Sequence, residues 1–395
     1  MYNNNNEQLI KYSKLCMIIS GSWKLPLSNS RFSTNIYFCY AFLIQGLYYI
    51  FISALFIKFV QLILMRVELD MVIWSSSYLV AGLAGWIQIS MFQRNKIPEM
   101  FQDIINLEKD IWLSVDEDVK SLYLKKCIFC QKLSLAIAGN TAFGVISFFA
   151  VSLKNYIESD HTAIKEDDPL YFFMYPVWLP YKEPKHMTSA IFINAVFAFE
   201  GIVIYSVCHI IFATLMVYAA THLELLHVKI NKLNWNSVDG EERGFYNLRE
   251  IATEHSSLEK FIKNLNAKTK NVVLVDYILN SINVASISLK VINAETQSQL
   301  FSAIAYLMIL VLHVFISGWL ANEIKVQSLA TADALYQTNW YNQNEKTRRT
   351  FHITLMRSQR PLIISKGPFG EMNTETALTT LRVAYSYITL MQNYK

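Results

Sequence analysis

Among the ionisable side chains inside long apolar stretches of the sequence, two lie well away from the ends: Glu200 within residues 188–218, and Arg382 within residues 373–393. A charge in a hydrocarbon layer is costly and commonly marks a pathway or a ligand. A neighbouring hydroxyl could equally satisfy Glu200, and the same alternatives apply to Arg382. Cys127-x-x-Cys130 is a lone pair without a second pair at zinc spacing, whereas closed metal sites want four ligands. The sequence has no His-Glu-x-x-His, Walker loop, Gly-x-Ser-x-Gly or Gly-rich dinucleotide motif, so neither an enzyme nor a cofactor is expected.

A different constellation suits binding. Trp74 and Tyr78, then Phe143, Ser147, Phe148 and Val151, then Phe192, Ala195, Val196 and Phe199 are aromatic, small or hydroxylated residues in successive apolar stretches. With Ser286 and Tyr306 they could line an apolar cavity holding a few hydroxyls, the usual make-up of a small-molecule site. Ordinary helix packing explains each residue singly. Near the C-terminus, Thr379, Val383, Ser386, Leu390, Asn393 and Tyr394 recur every three or four positions, opposite Leu381, Ala384, Ile388 and Met391. A wettable helix face inside a membrane must turn toward protein or water. Such faces in a symmetric ring would enclose a pore, with Leu390 as an apolar constriction that gates by dewetting. Packing between helices through small hydroxyl residues is the alternative.

These residues need membrane helices to position them. The 395 residues are 53% hydrophobic and 17% charged, with mean hydropathy +0.25 and 35 Lys+Arg against 31 Asp+Glu. Soluble domains run about 45–50% apolar and about 25% charged. The composition excludes a disordered chain, a nucleic-acid binder driven by net charge, and a disulfide-stapled secreted domain. A crossing helix needs about 20 mainly apolar residues. Seven stretches qualify: 36–64, 70–92, 128–153, 188–218, 272–292, 299–320 and 373–393, the last diluted by threonine and serine. Six spans rather than seven is the alternative count. The expected fold is therefore all-α, a polytopic seven-helix membrane protein.

Basic residues collect on the cytoplasmic side of short loops. The leader carries four, and the connections sharing its side carry six, eight and seven, against six on the whole opposite side. The apolar run at residues 16–19 falls short of the roughly 7–15 residues of a signal-peptide core. The N-terminus is expected in the cytosol and the C-terminus outside, the reverse of a G-protein-coupled receptor. Consistently, no Asp/Glu-Arg-Tyr follows the third span and no Asn-Pro-x-x-Tyr lies in the seventh. No cysteine falls in an outer segment, so no disulfide is expected.

Two long inner connections read as helical. Leu223, Leu226, Ile230 and Leu233 recur at helical spacing, as do Leu258, Phe261, Ile262 and Leu265. Leu329, Leu335, Trp340, Tyr341, Phe351, Leu355 and Met356 continue the theme in residues 322–366. These stripes must be buried, against each other or against another subunit. The outer connection 154–187 is acidic and then aromatic, with Tyr171, Phe172, Phe173, Tyr175, Trp178 and Tyr181 between Pro169 and Pro184. It reads as a lid over a pocket or as an interfacial aromatic belt.

The topology, the run Gly21-Ser22-Trp23-Lys24-Leu25-Pro26 and the seventh-span run Leu381-Arg382-Val383-Ala384-Tyr385-Ser386-Tyr387 resemble insect odorant receptors. Ser386-Tyr387, residues 388–392, then Asn393-Tyr394 take the spacing of the wider chemoreceptor signature Thr-Tyr, five hydrophobics, Gln-Phe, with conservative departures. That favours the odorant branch over the gustatory one. The resemblance implies an odorant-tuned subunit of a heteromeric ligand-gated cation channel, assembled as a tetramer with a co-receptor in the plasma membrane of a sensory neuron dendrite. A volatile apolar ligand would bind in the outer half of the bundle, and Leu390 and Tyr394 would match the gate. The expected domains are a leader 1–35, a ligand-binding bundle 36–320 with outer loop 154–187 and stem 221–270, an anchor 321–372, and a pore helix 373–395. A homomeric gustatory-type channel and a metabotropic seven-helix receptor are the alternatives.

Overall fold

The computed structural model describes residues 9–23, 31–67, 69–158, 175–180, 187–233, 240–292, 294 and 296–392. Six long helices carry most of the chain: α2 (Arg31–Leu64), α3 (Leu69–Arg94), α5 (Glu117–Glu158), α6 (Met187–Asn231), α7 (Gly240–Ile292) and α8 (Gln297–Tyr336). Among the described residues four shorter ones accompany them: α1 (Lys11–Ile19), α4 (Phe101–Leu113), α9 (Glu345–Ser358) and α10 (Thr374–Gln392). Among the described residues, six helices combine the length and apolar character of a membrane span. The 19 residues of α10 rise about 28 Å at about 1.5 Å each, close to the roughly 30 Å of a hydrocarbon core. The molecule is an all-helical multi-pass membrane protein.

α6 is the central post. Of its most apolar window 78% is buried, against 28% for α2 at the rim. It packs on α5 and α8, while α3 packs on α7 and α2 on α3. Beyond the bundle α6 and α7 continue as a paired stem. Leu226 and Ile230 meet Leu248, Ile251, Leu335 and Phe351 in one buried cluster. Trp340 stacks on Phe351 with centroids 5.0 Å apart. Lys229 pairs with Glu254 at 2.7 Å and Arg357 with Glu259. The stem stripes therefore bury one another within the chain, while Leu329, Tyr341 and Met356 stay exposed.

α4 was not anticipated. It follows a left-handed Lys96 (φ 55°) just after α3 and a single 3₁₀ turn, Ile97–Met100, with Pro98 at its second position. Its buried residues Phe101, Ile104, Glu108 and Ile111 recur every three or four positions, one amphipathic face against the bundle. α10 starts at a reciprocal cap. The Thr376 amide donates to the Asn373 side-chain oxygen at 2.8 Å, and the Asn373 amide donates to the Thr376 hydroxyl at 3.1 Å.

Candidate functional site

At the end of the bundle remote from the stem, α2, α3, α5, α6 and α8 surround a cavity of about 70 Å³. A buried water needs about 10–15 Å³, so the space suits a compact molecule. Its wall is aromatic. Tyr48 and Phe51 come from α2, Tyr78 from α3, Phe148 from α5, Tyr205 from α6 and Tyr306 from α8. Ala81, Gly82, Thr141, Val145, Gly201 and Ile309 fill the gaps.

The rings meet edge to face, the arrangement their quadrupoles favour. Tyr78 lies 6.1 Å from Phe148, and Phe148 lies 5.8 Å from Tyr306, in near-perpendicular pairs. The Tyr48 hydroxyl donates to the Gly82 carbonyl at 3.0 Å. Gly85 makes room for that contact, because a Cβ there would stand 2.7 Å from the hydroxyl oxygen. The Thr141 hydroxyl donates to its own helix at Ile137. The Tyr205 hydroxyl has no partner.

The cavity is roofed by the outer connection. Tyr175 is buried and lines it, with its ring 5.2 Å from both Phe51 and Tyr78. Two backbone bonds pin this segment: the Tyr175 amide donates to the Asn194 side-chain oxygen at 3.0 Å, and the Trp178 amide to the Ala54 carbonyl at 3.0 Å. At Tyr175 the connection thus covers a pocket. Tyr171, Phe172, Phe173 and Tyr181 lie outside the described residues.

Of the residues singled out from sequence, Tyr78, Phe148 and Tyr306 share the cavity wall. Trp74 stands behind them, 5.7 Å from Tyr78 and under the Lys290 ammonium at 4.5 Å. Ser147 is buried, but its hydroxyl donates to the Phe143 carbonyl. Ser286 bonds back to Ile282 in the same way. Phe143, Phe192, Val196 and Phe199 are exposed, turned away from the cavity, and Val151 and Ala195 are half-buried outside its wall. Sequence reading placed Tyr175 in a possible lid but passed over Tyr48, Phe51 and Tyr205 as lining residues. For Tyr48 and Tyr205 the signal was chemical: a tyrosine in an apolar helix needs something for its hydroxyl.

Glu200 is buried with neither carboxylate oxygen partnered, one residue before the lining Gly201. Arg382 is exposed on α10. On the same helix Ser386 is exposed and its hydroxyl donates to the Arg382 carbonyl. Asn393 and Tyr394 lie outside the described residues, as do the side chains of Val383 and Leu390. Cys130 is buried and its thiol faces the Thr214 hydroxyl at 3.9 Å. No metal-binding group of three His, Cys, Asp or Glu residues occurs among the described residues.

The profile of a family described as 7tm Odorant receptor matches residues 75–385. Odorant receptor Or2 of Anopheles gambiae is 25% identical over 187 residues, 46% of this chain and 50% of its own. Odorant receptor 30a of Drosophila melanogaster is 30% identical over 135 residues, 34% of this chain and 36% of its own. The chain thus spans half or less of the length of these curated relatives. The backbone superimposes on the insect olfactory receptor OR5 from Machilis hrabei in complex with eugenol, with a TM-score of 0.81 over 98% of each chain and 17% identity. At that identity the likeness is one of fold.

Proposed function

The chain belongs to the 7tm odorant receptor family, and we propose that it is the odorant-binding, tuning subunit of a heteromeric ligand-gated, non-selective cation channel in olfactory transduction. Family membership makes it a receptor rather than an enzyme. The observation that carries the proposal is the aromatic cavity, with Tyr78, Phe148 and Tyr306 in its wall and Tyr175 as its roof. A small volatile held there gains about 25 cal/mol per Å² of buried apolar surface, so affinity is modest and selectivity follows shape. Opening requires that the ligand bind the open state better than the closed one, since equal affinity shifts nothing.

The remaining assignments rest on the family resemblance and on patterning. The co-receptor completes a tetramer, and the exposed Leu329, Tyr341 and Met356 of the stem region offer apolar surface for it. The segment 373–395 lines the pore through Val383, Ser386, Leu390, Asn393 and Tyr394, with Leu390 as the constriction. The distribution of basic residues supports a cytosolic N-terminus and an outer C-terminus in a plasma membrane. Voltage-clamped cells given an odorant panel test the reading. Currents are expected only when a co-receptor is present. Currents from this chain alone would favour the homomeric alternative, and none under either condition would refute the channel.

A further inference from the structure

Behind the cavity, between α6 and α8, three rings carry polar atoms that nothing in the protein satisfies. Tyr205, a lining residue, lies 4.8 Å from His209 and 5.1 Å from His313 between ring centroids. The two imidazoles stack at 4.1 Å, only 12° from parallel. The Tyr205 hydroxyl and the Nε2 atoms of His209 and His313 are all enclosed and lack hydrogen-bond partners. Stacked rings hold their nitrogen lone pairs side by side rather than converging, which is poor geometry for sharing a metal ion. An enclosed polar atom without a partner costs free energy, and of these three only the Tyr205 hydroxyl belongs to a residue lining the cavity, where an occupant can satisfy it.

We infer that Tyr205, backed by the His209–His313 stack, is a specificity-determining subsite that takes the oxygen of a hydroxyl- or carbonyl-bearing volatile in preference to a hydrocarbon of the same shape. The inference rests on the reading that this cavity holds the odorant. A tyrosine hydroxyl donates to a carbonyl and both donates to and accepts from an alcohol, whereas neutral imidazole supplies one donor and one acceptor. Of the other lining hydroxyls, those of Tyr48 and Thr141 are already bonded and that of Tyr78, on α3, is not; the rings and aliphatic side chains between them hold the carbon skeleton. Tyr205 thus fixes which end of the ligand points toward α8, and the histidines position Tyr205.

The test is binding, read on the purified full chain in detergent by saturation-transfer NMR with cyclohexanol, cyclohexanone and methylcyclohexane. The wild type is expected to bind the two oxygenated rings at least tenfold more tightly than methylcyclohexane. Tyr205→Phe should cut that ratio to about twofold or less, mainly by weakening the two oxygenated rings, with a wild-type-like thermal melt in detergent reporting that the variant folds. His313→Phe keeps the stack and removes the nitrogens, and should reduce the ratio in the same direction by a smaller factor. Equal affinity for all three ligands, the result expected if water alone satisfies these groups, overturns the subsite but leaves the cavity as a binding site. A ratio unchanged in both variants overturns it too. Binding of none of the three by wild type would overturn the cavity reading along with it.

Discussion

Glu108 puts a carboxylate where the sequence pattern asks for an apolar residue, on the buried face of α4. One of its oxygens has no partner. Burial pushes its pKa up from 4.5 to about 7, against the opposing hydrogen bonds of Trp112 and the Leu9 backbone. The folded chain therefore holds this proton to higher pH than the unfolded chain does. Between about 4.5 and 7 the folded state binds more protons, so stability falls as pH rises through that window. Glu108→Gln is expected to raise the melting temperature above pH 7 and to leave it unchanged near pH 4, measured by thermal melts in detergent. At this scale the sequence was half legible. Tyr78, Phe148 and Tyr306 stand out by type, and the structure puts them in one wall. Phe143, Phe192 and Phe199 look the same on paper yet face outward. Lipid is as apolar as the core, so side-chain type alone does not sort inside from outside in a membrane helix.

Elements were more legible than residues, because long apolar blocks announce spans whatever their neighbours do. α4 escaped because its face is short and interrupted by Glu108. α10 was the faint one, and the structure explains how so polar a helix is held. Gly318 of α8 lets it come close: a Cβ there would stand 2.9 Å from the Asn373 carbonyl oxygen and 3.1 Å from the Ala377 Cβ. Neither neighbour is the flexible end of a long side chain. On the other side the Tyr277 hydroxyl of α7 donates to the Thr376 carbonyl. Gly318→Val should destabilise the protein by about 1–3 kcal/mol, the usual cost of overpacking. Gly46→Ala serves as control, since a Cβ there meets nothing within 4 Å. Melting temperatures measured side by side should fall for the first variant and hold or rise slightly for the second.

Across the whole molecule, α8 is the element common to the cavity and to α10. It places Tyr306 and Ile309 in the cavity wall and Gly318 against the start of α10. Ile309 and Gly318 are about 14 Å apart along the axis at about 1.5 Å per residue. A ligand that repositions α8 therefore bears directly on α10, provided the open and closed arrangements differ in the contacts offered to it. The lid over a pocket was one of two sequence readings of the outer connection, but the shared helix could not be read, because it depends on which helices end up adjacent. The account stands or falls on the cavity being where the ligand acts. The most direct measurement is the agonist rank order from concentration–response currents with co-receptor, for wild type, Tyr78→Phe, Phe148→Ala and the outward-facing control Ile146→Ala. The account predicts a changed rank order at Tyr78 and Phe148 and an unchanged one at Ile146; an order unaltered at both cavity positions would contradict it.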